Sequence, residues 1–288
     1  MNQVISQLQD LTYLNWAKTR RSAGIAGSFL KAYEEGPEGK RYYKLSNYDS
    51  FKGIVGHECV NEIIVDRLLT VLGVEHLSYQ LINARIILEE TELQTFLCRS
   101  KDFKKRGESK IALETLYQLE RKPNETPLEF CIRYGWEKTI YEMIIVDYLI
   151  LNWDRHGANI EVLRNPKEET LRLAPLFDHG LSLFFSCHSE EELLKENVLA
   201  DKPVQSFVGS RSAYENLKLI PKEKHPNLNP LRETDKEYLM KDLNIVLSDA
   251  WQDKIWEMIF TRWRVYEDLR NQGWKHLASE NAGISFLL

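Results

Sequence analysis

The stretch from Glu137 to Asn152 constrains this chain most, because its second half, Met143 to Leu151, is apolar around almost the whole circumference of a helix. A helix of that kind has no face to give to water and must lie inside a protein core. Asp147 interrupts it, and the run is too short to span a bilayer. Directly behind it comes Asp154-Arg-His-Gly-Ala-Asn159, then two short strand patterns, Ile160 to Leu163 and Leu171 to Leu173, flanking the Asn165-Pro166 turn. A second apolar approach, Leu173-Ala-Pro-Leu-Phe, then delivers Asp178-His-Gly180. Asp154 to Asn159 is thereby predicted to be a polar loop held by rigid elements, the usual setting for chemistry. An unpaired buried aspartate is costly, so Asp178 is expected to meet a metal or another cation.

The remaining segments supply a second, smaller half. Lys40 to Ser46 reads as a strand with Lys44 at its centre, preceded by a glycine-bearing turn region, Arg20 to Gly39. Ile63, Ile64, Leu68, Leu69 and Leu72 recur at helical spacing, so Glu58 to Leu72 is predicted as a helix capped by Gly73. Tyr79 to Leu88 and Thr95 to Cys98 are predicted strands joined through the acidic turn Glu89 to Glu92. The composition turns polar and basic from Asp102 to Ser109, and the boundary between lobes 1–105 and 106–288 is placed there. The Lys101 to Arg106 knot is read as a solvated loop.

Beyond it, Ile111 to Leu119, Glu190 to Leu199 and Asp235 to Gly273 carry helical patterns, and Pro123 and Pro127 mark a loop. Trp251, Trp256, Ile259, Phe260 and Trp263 form an apolar stripe on the last of these, read as core. The expected class is therefore α+β, with a small β-rich N-lobe, a mostly helical C-lobe and one cleft between them.

With 288 residues, 43% of them hydrophobic, the chain can bury a substantial core. A formal charge of -5 gives no electrostatic footprint for direct nucleic-acid binding. The four cysteines, Cys59, Cys98, Cys131 and Cys187, are scattered without C-x-x-C spacing, which suits free thiols in a reducing cytoplasm. The first ten residues lack a basic start and an apolar core, so neither a secretion signal nor a membrane segment is expected.

Asp154, Asn159 and Asp178 follow the side-chain order of a phosphotransfer site. Such a site needs a carboxylate that orients an acceptor hydroxyl and takes its proton, an amide oxygen on Mg²⁺, and a second carboxylate bridging metal to the nucleotide phosphates. The run Asn152-x-Asp154-x-His156-x-x-Asn159, with Pro175-Leu-Phe-Asp178, resembles the catalytic and metal-binding segments of the HipA family of bacterial serine/threonine kinases. Gly24-Ile-Ala-Gly-Ser-Phe-Leu-Lys31 resembles that family's glycine-containing loop, Tyr43-Lys44-Leu45 its lysine strand, and Asn61-Glu62 its N-lobe helix. The resemblance runs in order from about Arg21 to Ser182.

It implies a two-lobed ATP- and Mg²⁺-dependent kinase acting on a protein Ser or Thr, in a setting that includes an antitoxin partner. Asp154 and Lys44 carry catalysis. Asn159 and Asp178 hold metal. Gly24, Ala26, Gly27, Ser28, Lys44, Glu62, Arg99 and His156 contact or support the nucleotide. Lys44 is expected to be paired with Glu62, or in reserve with Glu58 one helical turn earlier. The adenine is placed against the lobe connection, roughly Cys98 to Asp102. His156 is expected to hydrogen-bond the loop backbone, and Arg155 to meet substrate or a nearby acid.

Two departures matter. Gly24 stands where many members carry a regulatory serine, with Ser22 and Ser28 flanking it, and the chain reaches its loop without the additional N-terminal subdomain of fuller members. Other readings use the same residues differently. A small-molecule phosphotransferase needs the same constellation, and a partner-binding kinase fold needs none of its chemistry. A metallohydrolase would take Asp154-x-His156 and Asp178-His179 as metal pairs, but leaves Lys44 and the glycine loop idle.

Overall fold

The computed structural model describes residues 3–18, 29–37 and 39–272. Gly24, Ala26, Gly27 and Ser28, together with Ser22, lie outside the described residues.

The N-terminal half is built on strands β1 (Val4–Asp10), β2 (Ala17–Lys18), β3 (Leu30–Gly36) and β4 (Gly39–Lys44), the small hairpin β5 (Tyr48–Asp49) and β6 (Gly53–Ile54), helix α1 (Glu58–Leu72), and strands β7 (Tyr79–Leu88) and β8 (Thr91–Lys101). Six of these strands form one sheet in the order β1-β7-β8-β4-β3-β2. The C-terminal part follows with β9 (Ser109–Ala112), α2 (Leu113–Glu120), α3 (Pro127–Arg133), α4 (Glu137–Ile150), β10 (Asp154–Arg155), β11 (Glu161–Asn165), β12 (Thr170–Leu173), α5 (Glu190–Lys195), β13 (Gln205–Ser206), α6 (Ala213–Leu217), α7 (Asp235–Met240) and α8 (Asp249–Gln272). The mixed α+β class with a β-rich N-terminal half and a helical C-terminal half is as expected.

α1 spans the predicted residues, and Gly73 caps it in the left-handed region at φ 75°. Its apolar face covers one side of the sheet, where Tyr79, Leu81 and Cys98 share a core with Ile63, Ile64 and Leu68. The opposite side holds a second core of Tyr43, Leu45, Ile82, Ala84 and Leu97. This two-sidedness follows from the strand period, which sends alternate residues to opposite faces.

The core beneath α1 continues into α4 and α8 without a break. Asn61 donates from its amide to the carbonyls of Gly180 and Ser182, both at 3.0 Å. Arg67 donates to the carbonyls of Leu239 and Lys241 at 2.8 and 2.7 Å. α1 is thus bolted to the helical part by apolar packing and by buried hydrogen bonds.

One strand was not foreseen, and several element bounds differ from expectation. The polar segment Val4–Asp10 is an edge strand parallel to β7, and only Val4 in it is buried, so it carries no apolar alternation to read. β8 begins at Thr91, because Glu89 and Glu90 alone make the turn, both with positive φ, and the ladder pairs Leu88 with Thr91. Ile111 and Ala112 pair with β11 as strand residues, and the helix begins only at Leu113. The pattern from Asp235 onward is two helices. Arg67 holds carbonyls at the end of α7, and Asp242 then turns the chain at φ 60°. α4 is buried as predicted, with Ile140, Ile145, Val146, Leu149 and Ile150 fully enclosed, and Leu151 ends it in the left-handed region at φ 47°.

Candidate active site

Lys44 closes β4 on the sheet face that α1 covers, directly opposite Cys98 of β8. Glu62 projects from α1 toward it, and the ammonium lies 3.0 Å from Glu62 Oε1. Glu58, the reserve candidate, instead accepts a hydrogen bond from the Asn47 amide at 3.0 Å. The second partner comes from far along the chain. Asp178 Oδ1 is 2.5 Å from Lys44 Nζ, and Lys31 of β3 approaches Asp178 Oδ2 at 3.9 Å. Phe29 places its ring 4.7 Å from the same ammonium.

Asp178 is held in an unusual backbone state. It adopts φ 58°, a left-handed conformation that aspartate tolerates better than most residues. Its amide donates to the Tyr79 hydroxyl at 3.3 Å, and the next amide, of His179, donates to Glu62 Oε2 at 2.9 Å. Glycine at 180 serves close approach: a Cβ there would stand 3.0 Å from Glu58 Cβ and 3.2 Å from Lys44 Nζ. The left-handed turn is thus made by Asp178 itself.

The electrostatics are those of one coupled cluster. Burial alone would push Lys44 down, but the Asp178 and Glu62 carboxylates outweigh it and hold the ammonium well above its ordinary pKa. Burial works to raise Asp178 as well, yet Lys44 and Lys31 hold it well below the usual carboxylate range. Burial dominates at Glu62, which is raised despite Lys44.

Asp154, close enough to feel the Asp178 charge, lies on β10, whose two residues pair in parallel with Gln205 and Ser206 of β13. The Asn159 side-chain Nδ2 donates to the Asp154 backbone carbonyl at 2.8 Å and to Asp154 Oδ2 at 3.1 Å, so Asn159 Oδ1 is the atom left for a ligand. Asp154 Oδ1 is buried without a hydrogen-bond partner and faces His156 Nε2 at 3.4 Å. Burial first raises the Asp154 pKa, the Asp178 charge adds to that rise, and His156 opposes it. His156 Nδ1 accepts from the Ala158 amide at 3.1 Å, which is the backbone role expected of it. Arg155 meets an acid, Asp147, at 3.0 Å.

Beside the Lys44, Glu62 and Asp178 cluster lies a cleft of about 370 Å³, lined by Lys31, Ala32, Tyr42, Lys44, Glu62, Tyr79, Phe103, Phe177 and Asp178; Asp154 and Asn159 are not part of its wall. Phe103 and Phe177 meet at 5.6 Å between ring centroids, and Lys110 sits 4.0 Å over the Phe103 ring. These rings, with Ala32 and Tyr42, form the apolar slot suited to a nucleobase. Phe103 was legible only as a lone aromatic inside the basic knot, and Phe177 as the last apolar residue before Asp178.

Arg99 does not belong to this cleft. Cys98 and Ser100 point into it, and the alternation of a strand therefore sends Arg99 to the other face. There its Nε and Nη2 reach Gln80 Oε1 at 3.2 and 2.6 Å.

The oxygen donors Asn159 Oδ1 and Asp178 suit a hard cation such as Mg²⁺, which takes one or two protein oxygens and completes its shell with phosphate and water. The pairing required of a binuclear hydrolase does not form. His179 is 2% exposed, and its Nδ1 lies 3.9 Å from Glu62 Oε2 beneath the cleft.

Comparison with solved structures aligns the chain with the crystal structure of a Helicobacter pylori proinflammatory kinase, CtkA, at a TM-score of 0.62 and 14% identity, covering 91% of this chain and 98% of that one. HipA of Shewanella oneidensis MR-1, in a complex with HipB and operator DNA, aligns at a TM-score of 0.39 and 13% identity, covering 89% of this chain and 59% of that one. No family model and no curated protein matches the chain. At these identities the likeness to CtkA is one of fold alone, and it shows a mixed α+β, kinase-like fold as expected.

Proposed function

We propose that this kinase-fold protein is an ATP- and Mg²⁺-dependent serine/threonine kinase. The observation that carries the reading is the convergence on one cleft of Lys44, Glu62 and Asp178, with the partly buried Asp154 near enough for the Asp178 charge to help raise its pKa. Lys44 neutralises phosphate charge once nucleotide draws it off Asp178. Asp154 orients the acceptor hydroxyl; as the acceptor oxygen bonds to the γ-phosphorus, the bond to the β–γ bridging oxygen breaks, ADP leaves, and the hydroxyl proton passes to Asp154. Asn159 Oδ1 and Asp178 would hold Mg²⁺, which would supply charge neutralisation at the phosphates.

The protein acceptor rests on the resemblance to HipA kinases. The solved kinase with the same fold supports phosphotransfer in general. β13, paired directly with the strand that carries Asp154, and the segment from Val204 to Leu219 are the proposed acceptor-facing surface. An antitoxin partner, implied by the same resemblance, is part of the proposal and is testable by co-purification. No helix among the described residues is long and apolar enough to cross a membrane.

The test is incubation of the protein with radiolabelled ATP, Mg²⁺ and cell lysate. Labelled protein containing phosphoserine or phosphothreonine is expected. Asp154→Asn should lower transfer by roughly a thousandfold or more while retaining ATP binding, and Asp178→Asn should weaken only the Mg²⁺-dependent part of binding. Label confined to a small molecule favours the alternative phosphotransferase, and full transfer by Asp154→Asn removes the assigned base.

A further inference from the structure

Arg155 follows the proposed base in sequence yet turns away from the cleft, and it is only 1% exposed. Its Nε lies 3.2 and 3.0 Å from the two oxygens of Asp147, and Nη2 lies 3.1 Å from Asp147 Oδ1. Nη1 donates to two carbonyls, that of Asn159 at 3.3 Å and that of Phe177 at 3.0 Å. The first belongs to a proposed metal ligand, the second to the residue just before the other one, Asp178.

Asp147 is the charge that interrupts the apolar helix α4. Its Oδ1 also accepts from the Asn152 side-chain amide at 2.8 Å, and Asn152 Oδ1 in turn accepts from the Asp154 amide at 3.2 Å. One carboxylate on a buried helix therefore anchors the backbone of the base-bearing residue through Asn152, and the backbone at both metal-ligand positions through Arg155. Hydrophobic packing alone would not fix these spacings, because the segments are joined by a hairpin, β11 and β12, that reaches out to β9.

We propose that the Asp147–Arg155 pair is a positioning device that sets the distance between the base Asp154 and the metal ligands Asn159 and Asp178. The proposal rests on the kinase reading. Arginine is required because two edges of its planar fork are used at once, toward the carboxylate and toward the carbonyls, which a lysine ammonium cannot reproduce. Ligand-orienting partners of this type typically change metal affinity or activity by about 10–100-fold when altered. A displacement of about 1 Å costs on the order of a hundredfold in rate.

Arg155→Lys and Asp147→Asn preserve bulk and are measured alongside the wild-type protein. Each is expected to lower kcat by about a hundredfold, to leave KM for ATP within about threefold, and to raise the Mg²⁺ concentration needed for half-maximal rate by about tenfold. The double variant should lose no more than the worse single variant, since both act through one device. Calorimetric titration of ATP with and without Mg²⁺ reads the same device without turnover: the ratio of the two affinities should fall about tenfold in each variant. Folded variants with unchanged kcat, Mg²⁺ requirement and affinity ratio overturn the proposal, as does a uniform loss that tracks the unfolded fraction. A wild-type protein that binds ATP in a Mg²⁺-dependent way but transfers no phosphate overturns the kinase reading alone, and one that binds no ATP overturns both.

Discussion

Replacing Lys44 by methionine removes the buried ammonium that both Glu62 and Asp178 contact. At an effective dielectric of about 20, contacts of 3.0 and 2.5 Å correspond to attractions of roughly 5–7 kcal/mol each, offset by several kcal/mol of desolvation per charge. The measurable quantity is the penalty for breaking the buried cluster, about 3–5 kcal/mol near neutral pH, because the two carboxylates lose the ammonium they share, and Lys31 stands farther off, 3.9 Å from Asp178. For a chain of this size that corresponds to a fall in Tm on the order of 10 °C.

The pH dependence distinguishes this cause from simple loss of packing. The depressed Asp178 contributes stability that is present above its unfolded pKa of about 4 and is lost as pH falls through its lower folded value. The raised Lys44 contributes stability that is present below about 10.5 and is lost as pH rises through its higher folded value. The wild type therefore draws on the cluster between these limits. In Lys44→Met the carboxylates titrate upward, and protonating one of them relieves the repulsion, so the deficit should shrink as pH falls from 7.5 to 5. Mg²⁺ should also stabilise the variant more than the wild type, where the ammonium competes for Asp178. Chemical denaturation at both pH values, with and without Mg²⁺, measures this. A deficit below about 1 kcal/mol, or one of equal size at both pH values, would refute the reasoning.

Asp154 has a raised pKa, so kcat should fall as pH drops through a value above the ordinary carboxylate range; a pH–rate profile with no such acid limb removes Asp154 as the base. Phe103→Ala should weaken ATP binding by about tenfold through loss of the aromatic slot, whereas Arg99→Ala, on the other sheet face, should leave it within about twofold, as calorimetry will show.

The local elements were legible where one face of an element is buried and its ends are chemically marked. α1 was readable to the residue because its apolar positions repeat at helical spacing and Gly73 supplies the left-handed cap. β7 was readable for the same kind of reason, with Ile82, Ala84, Ile86 and Leu88 buried in alternation. β1 was not, since an edge strand with one buried residue owes its form to the backbone edge of β7. Arg99 failed for a related reason: alternation is visible in sequence, but its phase relative to the cleft depends on which sheet face α1 covers.

The sequence alone determined which chemical groups are present and in what order: an ammonium on a strand, a carboxylate on a helix, and two aspartates and an asparagine behind buried apolar segments. The tertiary structure decided which of them meet. Lys44 and Asp178 are 134 positions apart, and no local rule links them. Their contact exists because α1 and α4 share one core, which carries the strand end and the Asp178 turn to the same point. The choice of Glu62 over Glu58, the burial that raises Asp154, and the inward turn of Arg155 onto Asp147 have the same origin. Side-chain charge is a local property, whereas its solvation and its partners are set by packing between distant segments.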